Sequence, residues 1–102
     1  MEQEGTPQGL SMKEIWSPKA LLQLEGLWNF IANDSEAAAD SVVQRIFESV
    51  DLLKTQPEMG RPGRLAGTRE LVVPRTPYFL VYRIRRGGIE LIAVLHGSQR
   101  WP

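Results

Sequence analysis

The sequence predicts an α+β fold, a helical hairpin packed on one face of a mostly antiparallel four-stranded sheet in the order β-α-α-β-β-β. Three observations carry that expectation. Two apolar stripes at helical spacing follow each other with only Asn33-Asp34-Ser35 between them. Three runs rich in aromatic and β-branched residues come next, separated by proline and glycine turns. A short run ending on Ile15 and Trp16 precedes the first helix and supplies the remaining strand.

The elements follow in order. Met12–Trp16 reads as the first strand. Ser17-Pro18 is an N-cap followed by proline at the first helical position, where the missing N–H costs nothing. Leu21, Leu24, Leu27, Trp28 and Ile31 then make one apolar stripe, which places Trp28 in the core, with Trp16 packing at the start of this helix. Asn33-Asp34-Ser35 breaks the pattern and caps the second helix, whose stripe runs through Ala39, Val42, Val43, Ile46, Val50 and Leu53 until Pro57 ends it. Ala37, Ala38 and Ala39 allow close approach of the two helices near their turn. Met59–Gly67 reads as a loop, Arg69–Val73 as a strand and Pro74–Pro77 as a turn. Tyr78–Ile84 is a strand, Gly87-Gly88 a tight hairpin, and Ile89–Leu95 a nearly all-apolar strand that belongs inside a sheet.

At 102 residues the chain is one domain by length, and 42% hydrophobic with 24% charged residues is ordinary for a globular domain. There is no cysteine, which excludes a disulfide framework and a cysteine-based zinc site, and no cofactor or metal is expected. Residues 1–11 read as a disordered lead-in and residues 12–102 as the folded domain. The lead-in carries Glu2 and Glu4 where a signal peptide wants bases, and no apolar run is long enough to span a bilayer. A cytoplasmic protein with no membrane partner is therefore expected.

A net charge of zero conceals a division. Residues 1–60 carry ten acids against four bases, a net −6, whereas residues 61–102 carry eight arginines against Glu70 and Glu90, a net +6. Arginine offers planar, bidentate contacts to phosphate or carboxylate, so an anionic partner is one reading and mutual neutralisation of the two halves within one fold is the other. Arg64, Arg69 and Arg100 are the candidates for an anion site, with Trp101 as either a lid on the core or a contact for a partner. Arg83, Arg85 and Arg86 flank a hairpin turn, where charge normally serves solubility. His96 is the sole histidine and the one side chain suited to proton transfer near neutrality, although a lone histidine at a strand end more often bonds a neighbouring backbone group. Gly60, Gly63 and Gly67 lack the spacing and the following Lys-Ser or Lys-Thr pair of a phosphate-binding loop.

Three strings, GRPGRLAGTREL (Gly60–Leu71), PYFLVYRI (Pro77–Ile84) and VLHGSQRWP (Val94–Pro102), taken in this order behind two helices, resemble the RelE/ParE superfamily of type II toxins, also called plasmid-stabilisation toxins. The resemblance extends over Met12 to Pro102. It implies a sheet with the first strand beside the last and two helices on one face. It also implies a bacterial growth-inhibiting toxin neutralised by a cognate antitoxin in a toxin–antitoxin hetero-oligomer.

The family attacks in two ways, cutting messenger RNA on the ribosome without a metal or poisoning DNA gyrase without nuclease activity. The nuclease pattern has lysines on the second strand and an arginine before Leu-Val-Tyr on the third. Here those places hold Glu70, Val72 and Phe79, so the chain is closer to the ParE-like branch, with gyrase as the expected target and no catalysis of its own. Were it the metal-independent endoribonuclease, catalysis would rest on His96 with Arg64, Arg69 and Arg100. As a gyrase-directed toxin, Arg64, Arg69, Arg100 and Trp101 would contact the target. A third reading is a non-toxic member that only binds an antitoxin-like partner.

Overall fold

A computed structural model describes residues 12–102, and the expectations for residues 1–11 lie outside them. Strand β1 (Lys13–Trp16) leads into helix α1 (Pro18–Ala32) and helix α2 (Glu36–Thr55). A 3-10 turn (Pro57–Met59) then enters β2 (Arg61–Pro62), β3 (Arg69–Val72), β4 (Tyr78–Arg85) and β5 (Gly88–His96). The sheet order is β1-β5-β4-β3-β2, with β1 parallel to β5 and the remaining pairs antiparallel. The α+β architecture is the one the sequence predicts, with one addition. Within the expected Met59–Gly67 loop, Arg61 and Pro62 pair with Glu70 and Arg69, so the sheet has five strands.

Both helices start where expected. The Ser17 side chain accepts the Ala20 N–H at 3.0 Å and the Ser35 side chain accepts that of Ala38 at 3.1 Å, each satisfying a donor the helix leaves open. The Ser17 hydroxyl also donates to the Ile92 carbonyl at 3.0 Å, which fixes the start of α1 on β5. Further along α1, Gln23 accepts the Val94 N–H at 2.8 Å.

Helices and sheet enclose a core of Ala20 and Leu27 from α1, Ile46, Val50 and Leu53 from α2, and Leu80, Tyr82, Ile89 and Leu91 from the sheet. Each fully buried aliphatic side chain contributes about 1.5–3 kcal/mol, and these contacts hold the hairpin on the sheet. A smaller cluster lies on the far face, where Phe79, Val81, Ala93 and Leu95 are buried against Ile92 and Trp101.

One tryptophan departs from the sequence reading and another gains a partner it did not name. Trp28 is half-buried rather than core, and its indole N–H donates to Asp40 of α2 at 2.8 Å. It lies at the edge of the α1 stripe, where an indole reaches a polar partner more readily than an alkyl side chain does. Trp16 packs on the core cluster that includes Ala20 of α1 and meets Phe47 of α2 edge-on with ring centroids 5.7 Å apart. The reason is the parallel β1–β5 pairing, which lays Trp16 beside Leu91 under the second helix.

One irregularity decides which face the functional candidates occupy. Val81 pairs with Ala93 but Tyr82 pairs with Leu91, so Ile92 is an extra residue in β5 and makes a β-bulge. Side chains alternate between faces along a strand, and an extra residue reverses the alternation beyond it. Ile89 and Leu91 face the helices, Ala93 and Leu95 face away, and Val94 returns to the helix side.

Candidate functional site

The far face is organised by Glu70. Its side chain is only 2% exposed and stands opposite Val81 in the β3–β4 register. One carboxylate oxygen accepts the Arg64 backbone N–H at 3.0 Å; the other lies 3.3 Å from both the Arg61 and the Arg64 guanidinium. Burial alone pushes this carboxyl up, but the Arg64 N–H and the charges of Arg64 and Arg61 together outweigh it and hold the carboxyl below its ordinary value. Glu70 was not singled out for this role from sequence. The available signal was its isolation, since no other carboxylate lies between Glu58 and Glu90 in the arginine-rich half.

From this anchor Arg64 crosses the far face. Its guanidinium lies 5.4 Å from the Phe79 ring centroid and donates to the Trp101 carbonyl at 3.1 Å. Trp101 packs on the far-face cluster while the Lys19 ammonium stands 5.6 Å from the centre of its ring. The structure therefore brings Arg64 and Trp101 together, in a contact that fastens the C-terminal tail to the sheet.

The other candidates lie elsewhere. His96 pairs with Tyr78 across the β4–β5 ladder and meets its ring edge-on at 5.3 Å, on the helix side. It lines a groove of about 430 Å³ with Gln23, Gly26 and Phe30 of α1 and with Gln99. Its Nδ1 accepts the Ser98 N–H at 3.0 Å, so a neutral ring carries its proton on Nε2. Arg69 also faces the helix side, but it pairs with Tyr82, four residues from Tyr78 and about 13 Å along the strand. Its guanidinium donates to the carbonyls of Gly60 at 2.8 Å and Glu58 at 3.2 Å. Arg100 is exposed in the tail. No constellation gathers His96 and the three arginines around one point.

The far-face clamp, the tail and the two-layer frame span residues that match a family model described as the ParE toxin of type II toxin–antitoxin systems, parDE, over 15–101. This chain belongs to the ParE toxin family. Among curated relatives of this ParE-family chain, the Sinorhizobium fredii protein Y4kP, named as a candidate toxin, is 44% identical over 94 residues, covering 91% of this chain and 97% of that protein. Toxin RelE2 of Caulobacter vibrioides is 31% identical over 85 residues, 83% of this chain and 94% of its own length. The fold is shared with a chain of the chromosomal ParDE system of Pseudomonas aeruginosa, at TM-score 0.76 and 24% identity, covering 87% of this chain and 98% of that one. A chain of the RelBE2 toxin–antitoxin complex of Mycobacterium tuberculosis matches at TM-score 0.59 and 21% identity, over 88% and 95% of the two chains. The ParE-family assignment makes this a type II toxin–antitoxin toxin, and its described residues contain no helix long and apolar enough to cross a membrane.

Proposed function

We propose that this ParE-family toxin arrests growth by binding DNA gyrase in the cytoplasm, cuts no RNA itself, and is held silent by a cognate antitoxin. The separation of His96 from Arg64 carries the reading. Cleaving RNA at a phosphodiester requires a proton-transfer group and cationic groups within hydrogen-bond reach of the same few atoms. Here the bulge at Ile92 turns His96 to the helix side while Arg64 is clamped on the far face, and Arg69 is occupied by two backbone carbonyls. Where the nuclease pattern of the superfamily wants a base on the strand after the arginine-rich loop, Glu70 supplies a buried carboxylate.

Arg64, Arg69, Arg100 and Trp101 are the target-contacting residues of this reading, with Arg100 and the Arg64–Trp101 junction forming its exposed part. The antitoxin follows from the company of the relatives, since the Pseudomonas structure is of a ParDE system and the Mycobacterium structure is of a toxin–antitoxin complex. The test is a plasmid supercoiling reaction with purified gyrase. Added toxin is expected to stop supercoiling and accumulate cleaved plasmid, and added antitoxin to reverse the effect. Intact supercoiling together with codon-phased cleavage of messenger RNA on ribosomes would transfer the toxin to the nuclease branch. Absence of any growth defect on induced expression would leave only a binding role.

A further inference from the structure

Strand register collects a set of exposed cations on the far face, one of which, Arg61, also belongs to the Glu70 clamp. In β1, Glu14 pairs with Lys54 of α2 and Trp16 packs on Phe47, so Lys13 and Ile15 face away from the helices. In β4, Phe79 and Val81 belong to the far-face cluster, and the same alternation puts Arg83 and Arg85 on that face. Lys13 aligns with Gly88, which aligns with Arg85, and Arg83 aligns with Glu90. Arg61 reaches the same face from β2 through its pairing with Glu70.

Four cations on β1, β4 and β2 thus span this face from one edge strand to the other, a breadth of about 19 Å at the usual strand spacing. The opposing acids are few and engaged. Glu70 is buried under Arg61 and Arg64, and Glu90 accepts from Arg85 at 2.9 Å. The Arg61 and Arg85 side chains nevertheless remain 66% and 53% exposed. The buried Nε of Arg83 has no acceptor, so its Glu90 neighbour does not satisfy it. Among the described residues no helix lies over this face; both helices pack on the other.

We infer that this face binds the phosphate backbone of duplex DNA through Lys13, Arg61, Arg83 and Arg85. Broad, arginine-rich charge suits a rod of regularly spaced phosphates, where contacts are made to backbone oxygens and carry no base specificity. The choice of duplex DNA rests on the gyrase reading, because gyrase presents a toxin with a bound duplex.

The experiment measures binding of a fluorescent 25-base-pair duplex by anisotropy, using the full chain freed from its antitoxin, over a series of salt concentrations. Four phosphate contacts give a logarithmic salt slope near about −3.6, a loss on the order of 100-fold between 50 and 200 mM salt. Replacing both Lys13→Gln and Arg85→Gln is expected to reduce the slope to about −1.8 and weaken binding by tens of fold at 0.1 M salt. Arg45→Gln, on the helix layer, is expected to leave both unchanged. Far-ultraviolet circular dichroism melts confirm that each variant is folded.

Salt-insensitive binding, or equal losses with Arg45→Gln, overturns the inference. So does displacement of the duplex by poly-L-glutamate at equal charge, which would assign the face to an acidic protein, or tighter binding of single-stranded RNA of the same length. Gyrase supercoiling is read on the same samples. DNA binding without gyrase inhibition keeps this surface and removes the target reading, whereas inhibition without DNA binding does the reverse.

Discussion

Glu70 grips Arg64 at two points, through the backbone N–H at 3.0 Å and the guanidinium at 3.3 Å. Because these contacts hold the Glu70 carboxyl below its ordinary value, the folded chain favours the ionised form more than the unfolded chain does. That stability is fully present above the unfolded value of about 4.5 and is lost as pH falls through the lower folded value. Urea melts from pH 7 down to pH 3 should therefore show a loss of stability in the wild type that is reduced in Glu70→Gln. The variant should be weaker than the parent at pH 7 and approach it at the acid end. Parallel pH profiles for the two proteins would mean that Glu70 does not hold the loop.

The same clamp marks the limit of what the sequence reveals. Both helices, their starting points and four of the five strands are legible because apolar spacing and turn chemistry agree there. The two-residue strand Arg61–Pro62 has no such pattern, and only the partner strand defines it. The face of His96 is hidden for another reason. In Ile89–Leu95 nearly every residue is apolar, so a period of two leaves no trace and the extra residue at Ile92 cannot be seen. Regular alternation from Ile89 would have put His96 on the far face with Arg64. The bulge puts it with Tyr78 and α1 instead.

Tyr82 is fully buried, yet its hydroxyl accepts the Gly60 N–H at 2.9 Å and donates to the Pro57 carbonyl at 2.7 Å. Burial is the largest influence on this phenol and raises its pKa, in keeping with a neutral donor. Tyr82→Phe leaves both backbone groups without that partner and should cost about 1–3 kcal/mol. Gly60→Ala should also destabilise, because a Cβ there would stand 2.6 Å from the Tyr82 hydroxyl and 2.9 Å from the Glu70 carbonyl. Combining the two should cost less than the sum, as removing the hydroxyl relieves the shortest of three contacts, the others being the ring Cε1 at 2.8 Å and the Glu70 carbonyl. Full additivity in denaturant titrations would show that Gly60 and Tyr82 act independently.

Trp28 fastens one helix to the other rather than filling the core. Its indole bond to Asp40 and half-exposed ring point to a loss of about 1–2 kcal/mol for Trp28→Ala, below the roughly 3–5 typical of a fully buried aromatic. Asp40→Ala should produce the part of this loss that belongs to the hydrogen bond, and adding it to Trp28→Ala should change the melting temperature little further. A melting transition abolished outright by Trp28→Ala would return this residue to the core.

His96 separates binding from catalysis. Its Nδ1 is engaged by the Ser98 N–H, its ring lies against Tyr78, and the Arg64 clamp is on the opposite face. A general acid or base typically contributes about 10²–10⁴-fold in rate, so a nuclease stripped of His96 would lose its toxicity. A gyrase-binding toxin needs no proton transfer from its own side chains. His96→Ala is therefore expected to keep most of its toxicity in induced cells and most of its effect on supercoiling, with a modest decline if the groove beside α1 loosens. Charge reversal at Arg100 tests the binding reading from the other direction, because that side chain is exposed and its replacement should weaken target inhibition while leaving the melting temperature in place. Toxicity that vanishes in folded His96→Ala protein, together with loss of codon-phased RNA cleavage, would make this chain an enzyme after all.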